Sequence, residues 1–197
     1  MTYANVFALI TDLGDSALLL PASAFLLAYC LYRGSRTEAA VWATTLVICG
    51  AMTLFLKVGL RACGTENQLI NIHNPSGHAS LCTTFYICSS MMITTEKEKR
   101  TRAAVLAASA TLALVIAASR FVMQMHSASE VALGLLIGVA SVAWFSCWNA
   151  GRRVALPWQP LVGAVILLAL LTHGLHLGVE KIVEQLQAML LGSACPL

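Results

Sequence analysis

Six mostly apolar runs, separated by short polar breaks, constrain the fold of this chain more than any other feature. They cover residues 16–32, 39–60, 78–94, 103–118, 127–148 and 158–177. A membrane-spanning helix needs about 20 predominantly apolar residues. In hydrocarbon every backbone polar group must be satisfied within the span, so runs of this kind become helices. The breaks are charged or rich in turn residues: YRGSRTE after the first run, RACGTENQLINIHNPSG after the second, TEKEKRTR after the third and NAGRRVALP after the fifth. Composition agrees: 58% of residues are hydrophobic and 11% charged, where a soluble domain carries about 25% charged residues. Mean hydropathy is +0.78. The expected fold is all-α: an integral membrane six-helix bundle forming a single domain over residues 1–197. Beyond the sixth run, Val179, Ile182, Val183, Leu186, Met189 and Leu190 recur at helical spacing. That segment, 179–191, is expected to be an amphipathic helix lying along the interface.

Eight of the 12 Lys and Arg residues (Arg33, Arg36, Lys97, Lys99, Arg100, Arg102, Arg152 and Arg153) fall in the breaks after the first, third and fifth runs. The positive-inside rule puts those breaks in the cytoplasm. Both termini and the other two long breaks then face outward. A formal charge of +3, with no basic run interleaved with aromatics, argues against a nucleic-acid partner. Asp12 and Asp15 stand where a secretory signal would be basic, so no cleaved leader is expected. The seven Cys show no zinc spacing and lie mainly in apolar runs, where Cys acts as a small hydrophobe. Only Cys63 and Cys195 are placed to pair, on the outer side. Trp42, Trp144, Trp148 and Trp158 fall near the cytoplasmic ends, as anchors in an aromatic belt would.

Three polar clusters interrupt this pattern, all on the expected outer side. Lys57 sits inside MTLFLKVGL, and an ionisable group within a span is a functional candidate by default. Arg61, four residues on, shares its helix face. In NPSGH, Asn74 suits an N-cap and Pro75 the first helical position. Ser76, Gly77 and His78 would then form the first turn of the third helix, whose free N–H groups favour an anion. Gly77 permits close approach, Ser76 adds a hydroxyl, and His78 can donate a proton. In SRFVMQMHSASE, His126 and Glu130 are four apart and would share a helix face. A carboxylate on one imidazole nitrogen leaves the other as a nucleophile. Arg120 is off that face, which implies a turn between it and His126. Taken singly, each cluster also has an ordinary reading: a snorkelling Lys, a helix start, a capping Glu–His pair. Together they supply the cations, helix N-terminus, nucleophile and acid that in-line phosphoryl transfer requires. His73, His173 and His176 read as loop or interfacial residues.

These residues resemble the type 2 phosphatidic acid phosphatase superfamily. Its pattern is a Lys with a downstream Arg-Pro, then Pro-Ser-Gly-His, then Ser-Arg-x5-His-x3-Asp. Here Pro75-Ser76-Gly77-His78 is intact, and Ser119-Arg120, His126 and Glu130 match the third motif in spacing. The first motif matches at Lys57 alone. Gly64 occupies the Arg position, with Arg61 as the candidate substitute, and Glu130 replaces Asp. The resemblance covers about residues 50–140. It implies a metal-free mechanism with no cofactor. His126 would attack phosphorus, Glu130 orient it and His78 protonate the leaving oxygen. Lys57, Arg61, Ser76, Gly77 and Arg120 would hold the phosphoryl oxygens. The expected function is a phosphatase acting on a lipid phosphomonoester or lipid pyrophosphate, with its site open to the outer face at headgroup depth. Two alternatives stay open: a phosphotransferase using the same phosphohistidine, and a non-catalytic protein that binds or transports an anionic lipid. The identity of the lipid and the oligomeric state are not legible.

Overall fold

The computed structural model describes residues 3–62, 74–149 and 156–173 together with 185 and 189, without the side chains of 3–5, 61 and 62. The described residues form helices and no strand. In order they are α1 (Tyr3–Asp12), α2 (Ser16–Tyr32), α3 (Arg36–Ala62), α4 (Gly77–Ile93), α5 (Lys99–Val122), α6 (Ala128–Asn149) and α7 (Trp158–Thr172). The six expected spans correspond to α2 through α7. Positions 174–177 of the sixth, the expected interfacial helix apart from 185 and 189, and Cys63, Cys195, His73 and His176 lie outside the described residues. Helices α3 and α5 run further than their apolar stretches, into Arg36 and Lys99. Helical hydrogen bonding continues through a charged flank once a packed span holds the next turn in place. An additional helix, α1, precedes the first expected span, and Asp15 caps α2 by accepting from Ala17 N at 2.7 Å.

Four stretches are long and apolar enough to cross a membrane: Val6–Tyr32, Arg36–Leu60, Lys99–Val122 and Ala128–Asn149. A shorter apolar helix, Trp158–Thr172, accompanies them. The protein is a multi-pass membrane protein. Leu114, Leu136, Val139, Leu167 and Leu170 remain exposed on its helices, as lipid-facing residues should.

Helix α4 is different. It is 17 residues long and buries Ser80, Thr83, Thr84, Ser89 and Ser90 along with Ala79, Cys82, Phe85, Cys88 and Met92. It sits inside the bundle, against α3, α5 and α6. A helix shielded from lipid on most sides need not be apolar. Small and hydroxylated residues let backbones approach, and each hydroxyl bonds within its own helix or to a neighbour. Thr83 and Thr84 donate to Ala79 O and Ser80 O, and Ser80 Oγ meets Thr53 Oγ1 of α3 at 3.1 Å. Against α6 the approach is closest. A Cβ on Gly134 would collide with Ser76 O, and one on Gly138 with Thr83. Because 76 lies beside 134 and 83 beside 138, α4 and α6 run parallel.

At the middle of α4, Trp42 packs edge-on to Phe85, and also to Phe145 of α6, with ring centroids 6.0 and 6.5 Å away. Its indole donates to Ser23 O. Trp42 is therefore wholly buried core and not a belt anchor. Trp144, Trp148 and Trp158 are exposed, as an anchoring role requires.

Candidate active site

The ends of α3, α4, α5 and α6 that carry the three motifs gather with the α1–α2 turn at one end of the bundle. The start of α4 differs from the sequence expectation. Ser76, not Asn74, is the N-cap, and its Oγ accepts from Ala79 N at 3.4 Å. Ser76 N donates to Glu130 O at 3.1 Å, and Ser80 N to Ser76 O at 3.2 Å. Of the first-turn donors, Gly77 N and His78 N are left without a described backbone partner. These are the donors a bound anion would use. A Cβ on Gly77 would meet nothing, so the turn is open on that side.

The third motif folds as the spacing required. Helix α5 ends at Val122, and the turn passes through Gln124 at φ 56°. It brings Met125 N and His126 N back onto Arg120 O at 3.0 and 3.3 Å. His126 therefore lies in the turn before α6, just ahead of the expected span 127–148. Its Nδ1 is 3.0 Å from Glu130 Oε2. The same oxygen accepts from Ser127 N at 3.1 Å, and Ser127 Oγ accepts from Glu130 N at 3.3 Å. That reciprocal pair is a capping box, Ser127-x-x-Glu130. Glu130 Oε1 accepts from Asn74 N at 2.7 Å. One buried carboxylate thus caps α6, holds the imidazole and ties down the segment leading into α4.

Arg120 and Lys57 are buried, 6% and 5% exposed, and an ionisable group within a span is a functional candidate by default. Lys57 shares a cavity with Gly77 and His78. The cavity, about 210 Å³, lies between α2, α3 and α4 and continues past Thr53, Leu54, Gly50, Cys49 and Leu46. Arg61 closes α3, and its side chain lies outside the described residues. His173 Nδ1 lies 3.2 Å from Asp12 Oδ2, joining the end of α7 to α1.

Asp15 was not singled out as a site residue. Its Oδ2 stands 3.4 Å from His78 Nε2. Nothing local in the sequence marks this contact, because Asp15 and His78 are brought together only by the packing of the α1–α2 turn on α4. Glu130's double duty was legible, since Ser-x-x-Glu before an apolar run is a helix-start signature.

Comparison with known proteins points to one superfamily. The model of the PAP2 superfamily matches residues 60–153. One similar protein, from Klebsiella pneumoniae, is described as "Uncharacterized 22.5 kDa protein in cps region". It is 33% identical over 138 residues, which cover 70% of this chain and 66% of the relative. No solved structure matches. With the Pro-Ser-Gly-His turn and the Arg120, His126 and Glu130 set folded against each other inside a membrane bundle, the chain belongs to the PAP2 superfamily of phosphatase-like proteins.

Proposed function

We propose that this protein hydrolyses a phosphomonoester or pyrophosphate borne on a lipid, through a phosphohistidine at His126. Glu130 carries the reading. It holds His126 Nδ1 at 3.0 Å and Asn74 N at 2.7 Å, so the nucleophile and the helix start that would cradle the phosphoryl group are set by one side chain. An ionised carboxylate only accepts, so Nδ1 carries the hydrogen and Nε2 the lone pair. Nε2 attacks phosphorus as the bond to the leaving oxygen breaks, and His78 gives that oxygen its proton. Water then attacks the phosphohistidine and the N–P bond breaks, releasing phosphate that carries the water's oxygen; the water's surplus proton passes to solvent, and His78 is reprotonated from solvent. Lys57, Arg61, Arg120, Ser76 and the Gly77 and His78 N–H groups offset the charge on the phosphoryl oxygens.

The cavity supports a lipid substrate. Its polar end holds Lys57 and His78, and its wall continues through Leu54, Cys49 and Leu46. Eleven residues of α3 separate Lys57 from Leu46, a helical distance of about 16 Å. That is room for a chain lying beside a headgroup phosphate. The concentration of Arg33, Arg36, Lys97, Lys99, Arg100 and Arg102 at the far end of the bundle supports a site on the outer face.

The test is phosphate release from a panel of lipid phosphates and pyrophosphates by purified protein in detergent. His126→Ala should lower turnover at least about 1,000-fold, the scale of losing a catalytic nucleophile. His78→Ala should be severely impaired on substrates with alkoxide leaving groups. Release that survives both substitutions, or no release from any substrate, would sink the reading. The proposed chemistry runs on side chains and a helix N-terminus. Activity should therefore persist in EDTA, and a loss restored by added metal would contradict it.

A further inference from the structure

The residues matched to the superfamily begin at 60, yet a carboxylate from well before them reaches the site. We infer that Asp15, on the α1–α2 turn, is a positioning residue for His78, fixing the ring so that its other nitrogen delivers the proton to the leaving oxygen. This role rests on the phosphatase reading above.

Three contacts hold the turn against the site. Thr11 Oγ1 meets Ser119 Oγ, next to Arg120, at 2.9 Å. Tyr86 of α4 donates its hydroxyl to Leu13 O at 2.8 Å. Gly14 packs so closely that a Cβ there would overlap Ile116 and stand 3.7 Å from His78 Cδ2. Asp15 itself is only 8% exposed, and its Oδ1 is occupied by Ala17 N at 2.7 Å and Ser16 Oγ at 3.4 Å. Its Oδ2 is turned to His78 Nε2, a buried atom that makes no hydrogen bond among the described residues. The 3.4 Å separation is longer than a catalytic hydrogen bond, and such contacts commonly tighten only when substrate binds. With Nε2 held by the carboxylate, Nδ1 is the nitrogen that passes its proton to the leaving oxygen as the P–O bond breaks. Asp15 stays ionised throughout. The arrangement repeats that of His126 and Glu130: each imidazole has a carboxylate from a helix start, one supplied by α6 and one by the turn into α2.

The test uses two leaving groups on the full-length protein in detergent: phosphatidate, whose leaving alkoxide needs a proton, and p-nitrophenyl phosphate, whose phenolate does not. Asp15→Asn keeps a good N-cap for α2, and Asp15→Ser keeps a cap but cannot reach His78. Both should lower kcat for phosphatidate about 10- to 100-fold, within the range of general acid catalysis. KM should move little, and p-nitrophenyl phosphate turnover should stay within about threefold. Asp15→Glu should recover part of the phosphatidate rate. His78→Ala should show the same leaving-group pattern, with Asp15→Asn adding nothing to it. Equal losses on both substrates, full activity in Asp15→Asn, or additive losses in the double variant would overturn the role while leaving the phosphatase reading in place. A wild-type protein inactive on these two and on every other lipid phosphate and pyrophosphate of the panel would overturn the two together.

Discussion

At the scale of single residues, Glu130 accounts for its own departure from the superfamily's Asp. Two oxygens serve three partners: Ser127 N, His126 Nδ1 and Asn74 N. A capping box needs Glu or Gln at its third helical position, and an Asp would be one methylene short of spanning from α6 to Asn74. Glu130→Gln should keep the fold, since Gln also serves a capping box. It should nonetheless lower turnover by at least about 100-fold, because it removes the charge that sets the His126 tautomer. Glu130→Asp, although it restores the superfamily residue, should also lose activity, by up to about 100-fold, through misplacement of the imidazole. Initial rates and thermal midpoints of the three proteins check both. Wild-type turnover in Glu130→Asp would show that the Asn74 contact is dispensable.

At the scale of elements, the close parallel packing of α4 and α6 ties the proposed phosphate turn to the proposed nucleophile. In a membrane, lipid tails are as apolar as Leu, so helix association depends on close packing and hydrogen bonds. Gly134 and Gly138, four apart, supply the flat strip. Two glycine substitutions should separate scaffold from site. Gly134→Ala puts a methyl into Ser76 O, and overpacking of this kind costs about 1–3 kcal/mol. Its melting midpoint should fall together with its activity. Gly77→Ala meets no protein atom, so its midpoint should hold. The methyl would enter the space proposed for phosphate, so turnover should drop and KM rise. A stable, fully active Gly77→Ala protein would move the anion site elsewhere.

At the scale of the whole molecule, the cationic breaks at one end and the motif-bearing turns at the other imply a fixed orientation in the bilayer. Labelling of intact cells with a membrane-impermeant maleimide checks it in a background with Cys63, Cys147 and Cys195 all changed to Ser, which removes the exposed thiol of Cys147 and the two Cys expected on the outer side. Met125→Cys, half exposed at the motif end, should label. Glu96→Cys, in the opposite turn, should label only after permeabilisation. The reverse pattern would place the site on the cytoplasmic face.

Much of this molecule was determined locally. Helices α2 through α7 follow from apolar runs of bilayer length, because an unsatisfied backbone in hydrocarbon is too costly for any other open structure. The turn between Arg120 and His126 follows from a spacing that no continuous helix can reconcile. The His126–Glu130 pair follows from its four-residue separation. Where partners are distant in the chain, tertiary structure decided. It made Ser76 the cap of α4 by tying Asn74 N to Glu130, 56 residues away. It drew Trp42 out of the expected aromatic belt into contact with Phe85 and Phe145. It also set Asp15 beside His78. A hydropathy pattern records which residues must leave water, and a motif records which neighbours share a turn. Neither records which helix faces which. In a bundle without a strong apolar drive between its helices, small residues and buried hydrogen bonds settle that, and they act only once the helices have met.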